Sequence, residues 1–248
     1  MHSVFAEDQS YSQTEKYEKT LRQKMETLCS LAGKEGFNIL PYHEENWLKF
    51  RSLPALKQKQ IFENYSVFHN ICEKTVSGGS RLRNNQQIVW VAIKELGLRP
   101  CDNFFDKLDD SDVVEFYGND YTQIFRNFNF FKVCSYTLAE IYSYDYMELW
   151  HRDKTHIEHI NQRAVELFTS SNPKTTPWNM SDHLLIEKFS SQKFSIQLSL
   201  KYVSPLFDKN KNIAVLASLA GAKVVNQEIS DDELMSSATK DELQYDLS

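Results

Sequence analysis

Glycine and proline are scarce, at 7 and 6 of 248 residues, which excludes a repetitive or loop-dominated chain. Cysteine is scarcer: Cys29, Cys72, Cys101 and Cys134 stand far apart with no Cys-x-x-Cys pair. That spacing removes a disulfide framework or zinc ribbon and predicts reduced thiols in a reducing compartment. No apolar run approaches the roughly 18 residues that a bilayer span requires. The opening MHSVFAEDQSYSQTEKYEK is too polar for a signal peptide, so a cytoplasmic location is expected. Net charge is −6, with no basic stripe of the kind that marks a nucleic-acid binder. GxSxG, P-loop and GxGxxG signatures are all missing, and no enzymatic activity is expected.

What the chain has in quantity is aromatic side chains, 16 Phe, 12 Tyr and 4 Trp within a hydrophobic content of 41%. This is ample material for a core. Tyr17, Leu21, Met25, Leu28 and Leu31 recur at helical spacing between Thr14 and Ala32. Trp47, Phe50 and Leu53 continue the pattern from His43, and Pro54 interrupts it. Ile61, Tyr65, Phe68 and Cys72 mark a helix over 55–76, broken at Ser77-Gly78-Gly79-Ser80. A further helix runs from Asn84 to Leu96 and closes at Gly97. Residues 14–100 therefore read as a helical region behind a flexible N-terminus of 13 residues, either a small bundle or an extension packed on the C-terminal half of the chain.

The pattern changes after Pro100. Val113–Tyr117 and Tyr121–Arg126 read as a hairpin around Gly118-Asn119-Asp120. Asn127–Ser135, Leu138–Leu149 and Thr155–Phe168 read as helices, the last with Ile157, Ile160, Ala164 and Leu167 on one face. His183–Phe189 is a strand. Along Lys193–Tyr202, Phe194, Ile196, Leu198 and Leu200 alternate with polar residues and should face the core of a central strand. Pro205–Asn212 is a turn and Ile213–Leu219 the last strand. Residues 225–248 are acidic and poor in large apolar side chains, an expected mobile tail. Strand–strand–helices–strand–strand–strand is an α+β order.

Residues from about Asp112 to Ala222 resemble a PAS domain. In GNDYTQIFRNFNFFKVCSYTLAEI, Asn127 falls at the asparagine of the family's Asn-x-Ala-Phe motif, Phe130 at its phenylalanine and Tyr136 at the tyrosine of the following Gly-Tyr-Ser turn. Asn129 replaces the small residue and Ser135 the glycine. Leu149–Asp153 sits where the family often has a His-Pro-Asp-Asp helix start, and Phe194–Phe207, Asp208–Asn212 and Ile213–Ala220 resemble its closing hairpin. The resemblance implies a five-stranded antiparallel sheet with helices on one face, within a PAS-like unit spanning 101–224. It further implies a cavity for a small ligand or cofactor, and signalling by protein contact or homodimerisation.

Asn127, Phe130 and Tyr136 are thus candidate cavity residues or structural ones. His156 and His159, three apart on one helix, are weak haem candidates, because haem-binding members of the family ligate iron from this helix. No cofactor is the leading expectation. Cys134 lacks the Asn-Cys-Arg-Phe-Leu-Gln context of flavin-reactive relatives. His151-Arg152-Asp153 echoes a kinase loop without its partner motifs, and Asp208–Asn212 a calcium loop without its glycine and glutamate. The functional expectation is a sensory or regulatory module. The alternative is a bacterial secreted effector on the same scaffold, with Glu228–Ser248 as export signal.

Overall fold

The helical half begins with α1 (His2–Gly33), so helix already occupies the stretch read from sequence as a flexible N-terminus. The computed structural model describes residues 2–120, 122–170, 173–178, 182–190 and 192–227, with side chains from Gln13 onward. Leu21, Met25 and Leu28 on α1 are buried as their spacing predicts, each contributing about 1.5–3 kcal/mol by leaving water. Next along the chain are α2 (Glu44–Ser52), α3 (Ala55–Ser77) and α4 (Asn85–Glu95). Asn84 caps α4 by accepting from the Gln87 amide at 3.0 Å. Gly97 ends it at φ +65°, a left-handed conformation that favours glycine.

β1 (Arg99–Pro100) leads to β2 (Val113–Gly118) and β3 (Gln123–Arg126), which form the expected hairpin. Tyr121, read as its first returning residue, lies outside the described residues. No helix spans 127–135; only a short 3-10 turn forms at Phe130–Lys132. The reason is local: the Asn127 and Asn129 side chains bond to backbone groups of 110–114 instead of facing solvent from a helix. The expected Leu138–Leu149 helix is also shortened, to α5 (Leu138–Ser143), capped by Thr137 and Glu140 in a reciprocal box. Beyond it Tyr144 stacks on Phe189, ring centroids 4.4 Å apart. The chain continues through β4 (Trp150–His151), α6 (Lys154–Phe168), β5 (Thr176–Pro177), β6 (His183–Glu187), β7 (Phe194–Phe207) and β8 (Ile213–Gln227).

The spine is the long β7–β8 hairpin. Its turn is held by Asp208, whose carboxylate accepts from the amides of Asn210 and Asn212 at 2.8 and 2.9 Å. Both strands exceed the sequence reading. Pro205 lies inside β7, in the gap between the rungs made by β5 and those made by β1 on the same edge. Val225–Gln227, assigned to the tail, end β8: Val225 is bulged, and Asn226 and Gln227 are the last rungs, opposite Ser195 and Phe194. Residues 228–248 lie outside the described residues. The sheet order β3–β2–β8–β7–β6–β4 is antiparallel throughout. Five of these strands, β2, β3, β6, β7 and β8, make the expected sheet, and α6 lies on one face. The fold is thus α+β, with the helical region preceding the sheet.

The opposite face, including Val114, Phe116, Ala217 and Leu219, is equally buried and shares one core with α1, α3 and α4. Phe68 of α3 binds the halves together, its ring 6.0–6.4 Å from Phe125, Phe128, Phe131 and Tyr142. The helical region is therefore an extension packed on the sheet rather than a separate bundle.

Candidate ligand cavity

The alternation along β7 positions the site. Leu198 pairs with Ala222 and Leu200 with Ala220, but Lys201 is bulged, so that Tyr202 pairs with Leu219. The extra residue resets the period of two. Val203 therefore joins Leu198 and Leu200 on one face, beside Leu216 and Ser218 of β8 and Glu115 and Tyr117 of β2. Of the four alternating residues only Ile196 is fully buried; Phe194, Leu198 and Leu200 are half-buried. The physical reason for Leu198 and Leu200 is that the element above them does not close on the sheet.

That element is α6. Asp153 caps it, accepting from the Thr155 amide at 2.8 Å. Near its C-terminal end Leu167 packs with Trp178, Val203 and Leu216 in a small satellite core. Elsewhere a cavity of about 100 Å³ remains between Ile160, Ala164 and Phe168 of the helix and the β7–β8 side chains. Most of its wall is hydrocarbon. Glu115, Tyr117, Tyr146, Arg152 and His183 supply polar groups.

These groups are unusual for an interior. Glu115 is 4% exposed; its carboxylate accepts from the Gln123 amide and, at 3.4 Å, from the Tyr146 hydroxyl. Burial raises its pKa, opposed by the nearby Arg126 guanidinium. Burial also pushes the Tyr117 phenol far up. The Arg152 guanidinium lies 4.5 Å from the Tyr146 ring centre, while its Nε and Nη2 are buried without a hydrogen-bond partner among the described residues. His183 is 5% exposed, and neither of its ring nitrogens has a hydrogen-bond partner among the described residues. Burial, then the charges of Arg152 and His156, lower its pKa to about 4, so its imidazole is neutral at pH 7.

The residues singled out from sequence lie elsewhere. Asn127 is 1% exposed and knots the two halves together. Its Oδ1 accepts from the Val114 amide at 3.0 Å, while its Nδ2 donates to Asn85 Oδ1 at 2.6 Å and to the Asp112 carbonyl at 2.7 Å. Asn85 of α4 and Asn129 donate to the same turn, and Lys201 Nζ binds the buried Asp112 carboxylate at 2.7 Å. Phe130 packs edge-on against Phe131 and Trp150 and touches only a void of about 20 Å³ beside the cavity. The Tyr136 hydroxyl donates to the Leu149 carbonyl at 2.5 Å and accepts from the amides of Lys188 and Phe189. Its ring joins a cleft of about 590 Å³ near Glu35 and Arg83, two residues that are bonded to one another.

His156 is half-buried, its ring 5.2 Å from that of His183, and His159 is exposed on the helix. A cavity of about 100 Å³ does not fit haem, since even drug-sized ligands occupy several hundred cubic ångströms. Among the described residues no group of three His, Cys, Asp or Glu side chains could hold a metal. Cys134 is buried with its thiol pushed far up by desolvation, the state of an inert thiol.

Sequence reasoning missed Glu115, Arg152 and His183. One signal was available: Glu115 interrupts the apolar strand Val113-Val114-Glu115-Phe116-Tyr117, and a lone acid in such a run needs an interior partner.

No protein-family model matches the chain, and no curated protein does. Among solved structures, a sensory box sensor histidine kinase from Vibrio cholerae is similar over 50% of this chain and 89% of its own, at 14% identity and a TM-score of 0.32. A light-oxygen-voltage domain, solved in a study of a flavin analogue, is similar over 54% of this chain and 88% of its own, at 16% identity and a TM-score of 0.32.

Proposed function

We propose that this chain is a PAS-like sensory module, cytoplasmic, in which a small molecule bound under α6 changes how the protein contacts a partner or a second copy of itself. The observation that carries the reading is the cavity itself: an apolar pocket with unpartnered buried donors at its wall, beneath a helix that leaves the sheet half-covered. Interiors are normally close-packed and their polar groups bonded, so a space lined in this way is suited to a guest. The asparagine knot couples β2 to α4, which gives the sheet a firm connection to the helical region through which occupancy can be relayed. We take the protein to be a binding module and not an enzyme, since His183, the histidine lining the cavity, is hydrogen-bonded to no nucleophile among the described residues.

Native mass spectrometry of the purified protein tests this, with Ala164→Phe as the cavity-filling variant. The wild type should carry or take up small molecules that the variant does not, and a ligand should shift the monomer–oligomer or partner-bound distribution. Equal uptake by both proteins would remove the cavity from the account.

A further inference from the structure

The cavity's wall has a consistent sign and shape. One guanidinium lines it, that of Arg152; Arg126 pairs with Glu115 across the β2–β3 ladder and lines a neighbouring cleft. The one carboxylate there, Glu115, is already engaged by Gln123 and Tyr146. Among the described residues Arg152 keeps two buried nitrogens with no partner, and His183, which lines the same cavity, keeps both of its own. A buried guanidinium left in this state calls for an anion. The guanidinium fork of Arg152 matches a planar two-oxygen acceptor. A neutral imidazole at His183 has one N–H to add, and a doubly charged phosphate would set more negative charge against Glu115. Most of the remaining wall, including Ile160, Ala164, Phe168, Leu198, Leu200 and Leu216, is hydrocarbon, with Asn161, Ser218 and the Trp178 indole adding polar atoms. At about 100 Å³ the space is smaller than the roughly 150 Å³ that holds benzene, so a short branched chain fits it as it stands and a single ring requires α6 to yield.

Building on the ligand-binding reading above, we propose that the cavity binds a small monocarboxylate with a compact apolar body, a single aromatic ring or a short branched chain. The carboxylate sits on Arg152 and His183, and the apolar body lies between α6 and the β7–β8 surface. Neither residue acts as a catalyst; both hold the head group, and cavity length sets the upper size of the tail.

The test is calorimetric titration of the whole chain with benzoate and 3-methylbutanoate, with their uncharged counterparts benzamide and 3-methylbutanamide, and with phenyl phosphate. At least one carboxylate should bind at least tenfold more tightly than its amide and than phenyl phosphate. Arg152→Met should abolish that preference while leaving the weak amide binding in place. His183→Gln, which retains a donor, should weaken carboxylate binding less than His183→Leu. Amide and acid binding equally well would overturn the carboxylate assignment and leave the cavity standing, as would tighter binding of phenyl phosphate. Binding of none of the five probes would overturn both. The wild-type comparison of acid with amide decides the matter even where Arg152→Met does not fold.

Discussion

Replacing Asn127 by alanine removes three hydrogen bonds at a position 1% exposed, and the consequence depends on what each partner has left. The Asp112 carbonyl still accepts from Asn85 and Asn129. The Val114 amide loses the Asn127 oxygen, and Asn85 Oδ1 loses its short bond to Asn127. Two buried polar groups are therefore stranded, at about 1–3 kcal/mol each. The expected loss is about 2–6 kcal/mol, above the roughly 0.5–2 kcal/mol that a helix cap at this position would cost. For a chain of this size a loss of about 3 kcal/mol lowers Tm by about 6–12 °C. Urea unfolding followed by circular dichroism and tryptophan fluorescence measures it. Both probes should report one coincident transition, because the knot joins α4 to β2. Asn85→Ala combined with Asn127→Ala should show a coupling of about 0.5–3 kcal/mol. A loss under about 0.5 kcal/mol, or additive effects, would show that the Asn127–Asn85 bond does not hold α4 to β2.

Other outcomes are equally specific. Tyr136→Phe should destabilise by about 1–3 kcal/mol, because the Phe189 amide relies on its hydroxyl, while the Lys188 amide keeps the Leu149 carbonyl; denaturant midpoints measure this. Phe68→Ala should cost about 3–5 kcal/mol by opening the aromatic cluster between α3 and the sheet. His183 is buried and its pKa is lowered from 6.5 to about 4, so between those values the unfolded chain binds the extra proton. Its contribution of up to about 3 kcal/mol should be intact above pH 6.5 and lost progressively as pH falls to 4. His183→Gln should flatten that part of the pH–stability curve. A chain ending at Gln227 keeps every rung of β8 and should hold its Tm within a few degrees. One ending at Ala222 forfeits the pairs with Phe194, Ser195, Ile196 and Gln197 and should melt measurably lower.

The sheet was legible in the sequence because its signals are local. The alternation at Phe194, Ile196, Leu198 and Leu200, the turn chemistry of Asp208–Asn212 and the hairpin around Gly118 each depend on a few adjacent residues. The length of β7 and β8 was not legible, because the later rungs of β8 exist only through partners some thirty residues earlier in the chain. Asn127 was legible as a structural residue in kind but not in role: no helix follows it to cap, and its partner Asn85 comes from α4. The cavity was the least legible part. Lys201 bulges out of register, and that single extra residue decides which side chains face α6. Arg152 and His183 take their meaning from burial, which neither residue's neighbours in sequence announce.

Methyl NMR of the isoleucine, leucine and valine side chains, followed during titration with the five probe compounds, reports whether a small molecule enters beneath α6. A bound probe should move the signals of Ile160, Leu198, Leu200, Val203 and Leu216, and leave Ile39 and Leu40, in the cleft near Glu35 and Arg83, unmoved. Shifts concentrated at Ile39 and Leu40, or no saturable shift at the five cavity residues, would contradict binding beneath α6.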